Sequence, residues 1–341
     1  MPTDARVAEA SSLARRVLDE VEKAVVGKRS ALMLVLAAVL AKGHVLLEDF
    51  PGLGKTLAAR SLASALGLDF ARAQFTPDLL PADLTGSFIY DQRTSAFEFR
   101  RGPLFTGLLL ADEINRTPPK TQSALLEAMQ ERQVTVEGET FLLSAPFHVL
   151  ATANPIEYEG TYPLPEAQLD RFLMRVSFGY PSADEEYDVV VRRLARGQEE
   201  VELAQITDAS GVLQMQAATE TVTVDESVGR YCVDLATSTR HHSDVLTGSS
   251  PRGSLGLVLA ARGWAVLRSR DYVIPEDVKA VARAVLGHRL TVKPELWMTQ
   301  ASGPRVVDNV LGSVPTPRTL EAARASSFER PGEPGHSAGG A

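Results

Sequence analysis

A glycine-rich loop between two apolar segments restricts the fold of this chain more than any other feature. Residues 48–56 read EDFPGLGKT, after the short apolar run 45–47 and before a helical pattern over residues 57–66. A strand, a glycine loop ending in Lys-Thr and a helix together are the context of a phosphate-binding P-loop. Glycine lets backbone N–H groups approach phosphates, and the helix N-terminus adds a favourable dipole. The sequence therefore predicts a nucleotide site at this loop.

The residues of this loop have separate predicted roles. Lys55 would bridge the β- and γ-phosphates of ATP, and Thr56 would bind the accompanying Mg²⁺. Asp49 stands where the full motif has glycine, and we expect its carboxylate to point away because phosphate would repel it. The alternative is a chance glycine turn, which the flanking elements disfavour. The loop residues predicted to bind the nucleotide are Pro51, Gly52, Leu53, Gly54, Lys55, Thr56 and Leu57.

Two acidic residues follow a second apolar run. Residues 108–113 read LLLADE, so Asp112 and Glu113 would lie at the carboxyl edge of a parallel sheet, where ligands of open α/β sheets bind. We expect Asp112 to hold Mg²⁺ through water, with Thr56 as a further ligand of the ion, and Glu113 to orient and activate the attacking water. The alternative is a solvated acidic strand end.

An amide side chain follows a third apolar run. Residues 148–151 lead into Thr-Ala-Asn-Pro, and Asn154 at that position could hold the attacking water near the γ-phosphate. Asn before Pro is also a common turn. Because this segment comes after the other two motifs in chain order, we favour the catalytic role for Asn154.

The chain divides into an α/β part and a helical part. Short apolar runs alternate with helical patterns up to about residue 180, which predicts a parallel sheet flanked by helices. Helical patterns dominate beyond that point and predict a smaller, all-α second domain. The expected boundaries are a helical lead-in at 1–25, the nucleotide-binding core at 26–180, the helical domain at 181–325 and a disordered Gly/Pro/Ser-rich tail at 326–341. Two hairpins, at 87–100 and 134–142, are expected as insertions in the core.

Composition, net charge and cysteine content limit the expected partners and the expected location of the protein. The 341 residues carry 35 Lys+Arg and 43 Asp+Glu, a net charge of −8, so nucleic acid is not an expected partner. The longest apolar run, 31–41, is shorter than the roughly 20 residues that span a bilayer, and no membrane insertion is predicted. One cysteine, Cys232, fits a reducing compartment, and we expect a cytoplasmic protein.

Taken together, the motifs resemble those of the AAA+ ATPases, and more specifically the MoxR family. In that vocabulary the loop is a Walker A motif, and Asp112 and Glu113 form a Walker B motif. The resemblance covers about residues 26–289. The stretches that carry it are VGKRSA (26–31), LLEDFPGLGKT (46–56), QFTPDLLPADLTGS (74–87), the segment 102–138, LATANPIEYEGTYPLPEAQLDRF (150–172) and SPRGSLGLVLAAR (250–262).

The resemblance implies roles that spacing alone does not. Asn154 matches the sensor-1 position, and Arg171 in LDRF matches an arginine finger that reaches the nucleotide of a neighbouring subunit. Arg252 in SPR matches a sensor-2 arginine on a helical lid and would bind the nucleotide. Arg116 is a weaker match to a further interface sensor. An arginine supplied in trans requires an assembled ring, and the family implies a hexamer.

The resemblance also implies a use for the hydrolysis of ATP. Family members are chaperone-like remodellers that act in the assembly, maturation or metal-centre insertion of other proteins. Their partner is often a protein with a von Willebrand factor A domain, which here would be a separate chain. Two alternatives stay open, namely a chelatase-like motor subunit that inserts a metal into a small cofactor, and a nucleic-acid motor.

Overall fold

The apolar run before the glycine loop forms an inner strand of a five-stranded parallel sheet. The protein is described by a computed structural model that covers residues 4–155, 160–198, 200–296 and 302–317. The strands in chain order are β1 (Val45–Glu48), β2 (Phe70–Gln74), β3 (Gly86–Asp91), β4 (Ala96–Arg101), β5 (Leu108–Asp112), β6 (Gln133–Val136), β7 (Glu139–Leu142), β8 (His148–Ala153), β9 (Met174–Val176), β10 (Val245–Thr247) and β11 (Thr291–Val292).

Twelve helices accompany these strands in the described part of the chain. They are α1 (Ala5–Val21), α2 (Arg29–Leu40), α3 (Lys55–Leu66), α4 (Pro81–Thr85), α5 (Pro119–Glu131), α6 (Glu166–Leu169), α7 (Ala183–Arg196), α8 (Ala209–Glu220), α9 (Glu226–Arg240), α10 (Pro251–Leu267), α11 (Pro275–Leu286) and α12 (Gly303–Ser313). The helical patterns predicted from the sequence all fall on these elements, and α4, α6 and α12 are additional.

The parallel sheet has the order β2-β5-β8-β1-β9, and every neighbouring pair is parallel. Side chains of one strand alternate between the two faces, so Val45 and Leu47 join one apolar cluster while Leu46 joins the other. Both faces are therefore buried, which confirms the α/β class with a parallel sheet flanked by helices. The strands β2 and β9 are additional to the three predicted runs.

Two antiparallel hairpins project from the core, as predicted. They are β3–β4 and β6–β7. The rings of Phe99 on β4 and Phe141 on β7 stack with centroids 4.1 Å apart, and Phe88 on β3 lies 5.4 Å from Phe99. This aromatic contact joins the two hairpins into one unit.

Helices α8 to α12 form the lid that follows the core, together with the short antiparallel sheet β10–β11. Helix α10 packs on α9, α11 and the core helix α2. A side chain at Gly263 would place Cβ 2.3 Å from the carbonyl oxygen of Ala37, so glycine permits the close approach of α10 to α2. The lead-in helix α1 packs on both α3 and α8, and it buries Val7, Val17 and Val21 there.

Parts of the expected organisation fall beyond what the structure describes. The tail predicted at 326–341 and the last residues of the expected helical domain, 318–325, lie outside the described residues. Among the residues that the structure does describe, no helix is both long and apolar enough to cross a membrane.

A pair of buried histidines lies on the side of the sheet where strand β8 begins. His148 Nδ1 lies 3.0 Å from the carbonyl oxygen of Gly43, and its Nε2 accepts from the amide of Gln216 at 2.9 Å. His44 Nδ1 accepts from the backbone N–H of Val149 at 3.0 Å. Each ring uses one nitrogen as an acceptor, so both must be neutral. Burial lowers the pKa of His44 to about 3 and that of His148 to about 4.

These histidines should make the fold sensitive to mild acid. Below pH 6.5 the unfolded chain binds protons on these histidines that the folded chain does not, so stability falls as the pH falls toward 4. We expect His148→Gln to make the fall in unfolding free energy shallower by about 1 kcal/mol per pH unit between pH 6 and pH 5. Urea unfolding at a series of pH values measures this slope. The exposed His241→Gln should leave it unchanged, and equal slopes for wild type and His148→Gln would contradict the assignment.

Candidate active site

The glycine loop connects β1 to α3 and leaves open space above its backbone. Gly52 and Gly54 have φ of 81° and 82°, a left-handed conformation that favours glycine. A Cβ at either residue would meet no atom within 4 Å. Gly54 is the N-cap of α3 and offers no side-chain cap, so the first N–H groups of α3 can meet an anion.

Lys55 is folded back onto the loop. Its Nζ donates to the carbonyl oxygens of Asp49 at 2.6 Å and Phe50 at 3.3 Å. Burial lowers the pKa of Lys55, and the carboxylates of Asp49, Asp112 and Glu113 oppose this shift. The ammonium is thus held at the loop by carbonyl groups, which a phosphate could replace with stronger charge-assisted bonds.

The carboxylate of Asp49 points away from the loop, as predicted. It accepts hydrogen bonds from the Ser177 hydroxyl at 2.6 Å, from the backbone N–H of Phe178 and from that of Gly179 at 3.2 Å. These three residues follow β9, and Asp49 is only 5% exposed. Asp49 therefore fastens the start of the glycine loop to the neighbouring strand end.

Asp112 ends β5 beside the loop and is nearly buried. Its Oδ1 accepts from the Thr152 hydroxyl at 2.6 Å, and its Oδ2 accepts from Arg72 Nε at 3.0 Å and Nη2 at 2.7 Å. Arg72 lies on β2, the strand next to β5. The carboxylate is thus oriented by partners on both neighbouring strands, which fix its position.

Glu113 follows Asp112 in a left-handed conformation, with φ of 58°. Its backbone N–H donates to the Thr152 hydroxyl at 2.8 Å. Its side-chain Oε2 accepts from Gln74 Nε2 at 2.7 Å and lies 3.2 Å from Arg116 Nη1. The Arg116 side chain, proposed from resemblance as an interface sensor, is therefore paired with Glu113 of its own chain here.

Asn154 comes directly after β8 and is 8% exposed. Its backbone carbonyl accepts from the side-chain amide of Asn115 at 3.3 Å. Asn115 lies in the short turn that follows Glu113. The ends of β5 and β8 are therefore tied together next to the two acids.

The three predicted motifs meet around one cavity of about 380 Å³. The cavity is lined by loop residues, by both acids and by the end of β8. These residues are Pro51, Gly52, Leu53, Gly54, Lys55, Thr56, Leu57, Asp112, Glu113, Thr152, Ala153 and Asn154. The structure therefore brings together every loop residue predicted to bind nucleotide, with Asp112, Glu113 and Asn154.

Arg171 and Arg252 lie elsewhere, where the core meets the lid. Arg171 comes two residues after α6, and Arg252 is in the first turn of α10. Arg252 Nε is 3.9 Å from Asp170 Oδ2, and its side chain is half exposed. Within the described residues, neither arginine lines the cavity of its own chain.

Three residues that hold the acids were missed at the sequence level. They are Thr152, Arg72 and Gln74. Thr152 and Asn154 are two residues apart, as are Arg72 and Gln74, and such pairs point to the same side of a strand. This alternation is visible in the sequence, but it becomes informative only when β2 and β8 are placed on either side of β5.

Comparison with known proteins defines the class to which this fold and site belong. A family model described as ATPase family associated with various cellular activities (AAA) matches residues 44–174, and a model of the AAA lid domain matches residues 237–310. A solved structure of a putative ATPase from Cytophaga hutchinsonii superposes with a TM-score of 0.85 at 41% identity, over 92% of this chain and 97% of that one.

Two sequence relatives narrow the class to a family. Chaperone MoxR1 of Mycobacterium tuberculosis is 43% identical over 91% of this chain and 84% of its own length. The uncharacterized protein YeaC of Bacillus subtilis is 48% identical over 91% of this chain and 96% of its own. The chain belongs to the MoxR family of AAA+ ATPases.

The attachment of Asp49 predicts a loss of stability on substitution. Asp49→Ala would leave the Ser177 hydroxyl and two backbone N–H groups without their acceptor, so we expect the unfolding free energy to fall by about 2–4 kcal/mol. Denaturant unfolding measures this change. The exposed Asp234→Ala on α9 serves as a control and should change stability by less than about 0.5 kcal/mol. An equally small effect at Asp49 would contradict a fastening role.

Proposed function

We propose that this chain binds ATP with Mg²⁺ and hydrolyses it as a hexameric ring in the cytoplasm. The observation that carries the proposal is the convergence of the glycine loop, the two acids and Asn154 on one cavity. Hydrolysis would drive a chaperone-like remodelling of partner proteins during their assembly, maturation or metal-centre insertion. The name of the relative Chaperone MoxR1 supports this use.

The residues around the cavity fit a nucleoside triphosphate with its metal ion. The space over Gly52 and Gly54 is open, and Lys55 provides a cation at the loop. Thr56 and Asp112 line the same cavity and supply the oxygen ligands that Mg²⁺ prefers. The Asp112 carboxylate already accepts hydrogen bonds from Arg72 and Thr152. We therefore propose that Asp112 would hold the metal through water. When bound, Mg²⁺ neutralises charge on the phosphates.

The acid and the amide would prepare water for attack. Glu113 would accept a proton from the water, and Asn154 would orient it. Gln74 and Arg116 contact Oε2 of Glu113 and orient the carboxylate, either oxygen of which could accept the proton. The charge that develops on the phosphate would be stabilised by Lys55 from within the chain.

Two arginines would act from outside the cavity of their own chain. We propose that Arg252 on the lid contacts the nucleotide of its own subunit when the lid closes. Arg171 would reach the nucleotide of the neighbouring subunit, which makes the active site a shared one and hydrolysis dependent on the ring. A separate protein with a von Willebrand factor A domain is the proposed partner for coupling to clients.

The roles of Lys55 and Glu113 are separable by substitution. Glu113→Gln should retain ATP affinity while turnover falls at least about 100-fold, because the amide cannot accept the proton from water. Lys55→Ala should lose ATP affinity as well, because the loop loses its phosphate cation. Titration with a fluorescent ATP analogue and phosphate-release assays measure the two quantities. Unchanged ATP affinity in Lys55→Ala, or full turnover in Glu113→Gln, would refute the assignment concerned.

A shared active site predicts that two inactive variants restore each other. Arg171→Ala lacks the finger but keeps its own site, whereas Lys55→Ala keeps the finger but lacks a functional site. An equimolar mixture should recover about a quarter of wild-type turnover, because random pairing in a closed ring of heterologous interfaces gives that share of productive sites. Either variant with itself is the control and should stay inactive. An inactive mixture would exclude Arg171 as a finger in trans.

A further inference from the structure

The chain segment that carries Arg171 is fixed by one buried residue of the lid. Arg289, which follows α11, donates from Nε to Asp170 Oδ1 at 2.8 Å. Its Nη2 donates to the carbonyl oxygen of Phe172 at 2.7 Å, and its Nη1 donates to that of Leu173 at 3.2 Å. These acceptors flank Arg171 on both sides. The backbone around Arg171 therefore has its position set by the lid.

The side chain of Asp170 makes a second connection to the lid. Its Oδ2 accepts from the Ser250 hydroxyl at 3.2 Å, and Arg252 Nε lies 3.9 Å from the same oxygen. Ser250 is the N-cap of α10, the helix on which Arg252 lies in the first turn. The carboxylate of Asp170 therefore contacts two residues of the lid. One is Arg289, whose acceptors lie on both sides of Arg171, and the other is Ser250, at the start of the helix that carries Arg252.

The Arg289–Asp170 ion pair is largely buried, and burial restricts its geometry. The side chain of Arg289 is 4% exposed and that of Asp170 is 19% exposed. A guanidinium with several partners in fixed directions holds its neighbours in one geometry, and removing one partner of a buried pair leaves a costly unpaired charge. Movement of the lid must therefore carry the Asp170 segment with it or break the pair.

We propose that Asp170 is a positioning residue that, with Arg289, orients Arg171 for the active site of the neighbouring subunit. The inference rests on the proposed function, because Arg171 has a neighbouring site to reach only in a ring. Asp170 also lies beside Arg252, so a lid that responds to the nucleotide of its own subunit changes the placement of Arg171. The nucleotide state of one active site is thereby transmitted to the active site of the neighbouring subunit.

The test uses the mixture of inactive variants as its background. Lys55→Ala is the finger donor and Arg171→Ala is the acceptor whose site hydrolyses ATP. Asp170→Asn is placed either in the donor or in the acceptor. We expect the donor-side change to lower the recovered turnover at least about 10-fold with the KM for ATP unchanged, because only the finger is misplaced. The acceptor-side change should retain the recovered turnover.

Matched variants separate positioning from general damage. Asp308→Asn in the donor removes the carboxylate of the exposed Arg283–Asp308 pair in the same lid and should leave recovery intact. Arg289→Lys in the donor keeps the charge but cannot reach all three acceptors, so it should reproduce the donor-side loss. Thermal unfolding of each donor confirms that it is folded, and Arg289→Lys replaces Asp170→Asn if the latter does not fold.

The possible outcomes distinguish the inference from the function on which it rests. Equal recovery with and without Asp170→Asn in the donor would overturn the positioning role. A loss that follows the acceptor would also overturn it, because Asp170 would then act through Arg252 in its own site. Failure of the parent mixture to recover any turnover would remove the shared site itself, and the inference with it.

Discussion

The parallel pairing of β1 with β8 on one side and β9 on the other determines where everything else in this protein can lie. The register sets Glu48 opposite Ala153, so the glycine loop leaves the sheet beside Asn154. The pairing of β8 with β5 brings Asp112 to the same edge. Neighbouring strands are about 4.8 Å apart, so three loops that are distant in sequence meet within the reach of one nucleotide. The backbone ladder, rather than any side chain, creates the site.

Hydrogen bonds then restrict the side chains at this edge. The Thr152 hydroxyl donates to Asp112 and accepts from the backbone N–H of Glu113, so one group orients both acids. Arg72 balances the charge of Asp112 from the next strand. Such a network keeps the carboxylates in place before a ligand arrives, which reduces the reorganisation that binding requires. Glu113 is held from β2 by the side-chain amide of Gln74.

The lid is joined to the core through a wide apolar contact and a narrow polar one. The apolar contact is the approach of α10 to α2, which the absence of a side chain at Gly263 permits. The polar contact is the group around Asp170, where Arg289 and Ser250 meet the segment that carries Arg171. The first buries apolar surface between lid and core, while the second connects the lid to the segment that carries Arg171, the proposed finger.

The sequence by itself determined the alternation of strands and helices, the glycine loop and the two acids, because each depends only on local spacing and residue type. It did not predict β2, whose Arg72 and Gln74 interrupt any apolar run, nor β9, which has only three residues. The contacts of Arg289 could not be predicted either, because a sequence does not distinguish a buried arginine from one exposed to solvent. Only the tertiary structure decided that β2 lies beside the acids and that Arg289 is buried against Asp170. Strand order and burial depend on contacts between distant segments, which local patterns do not encode.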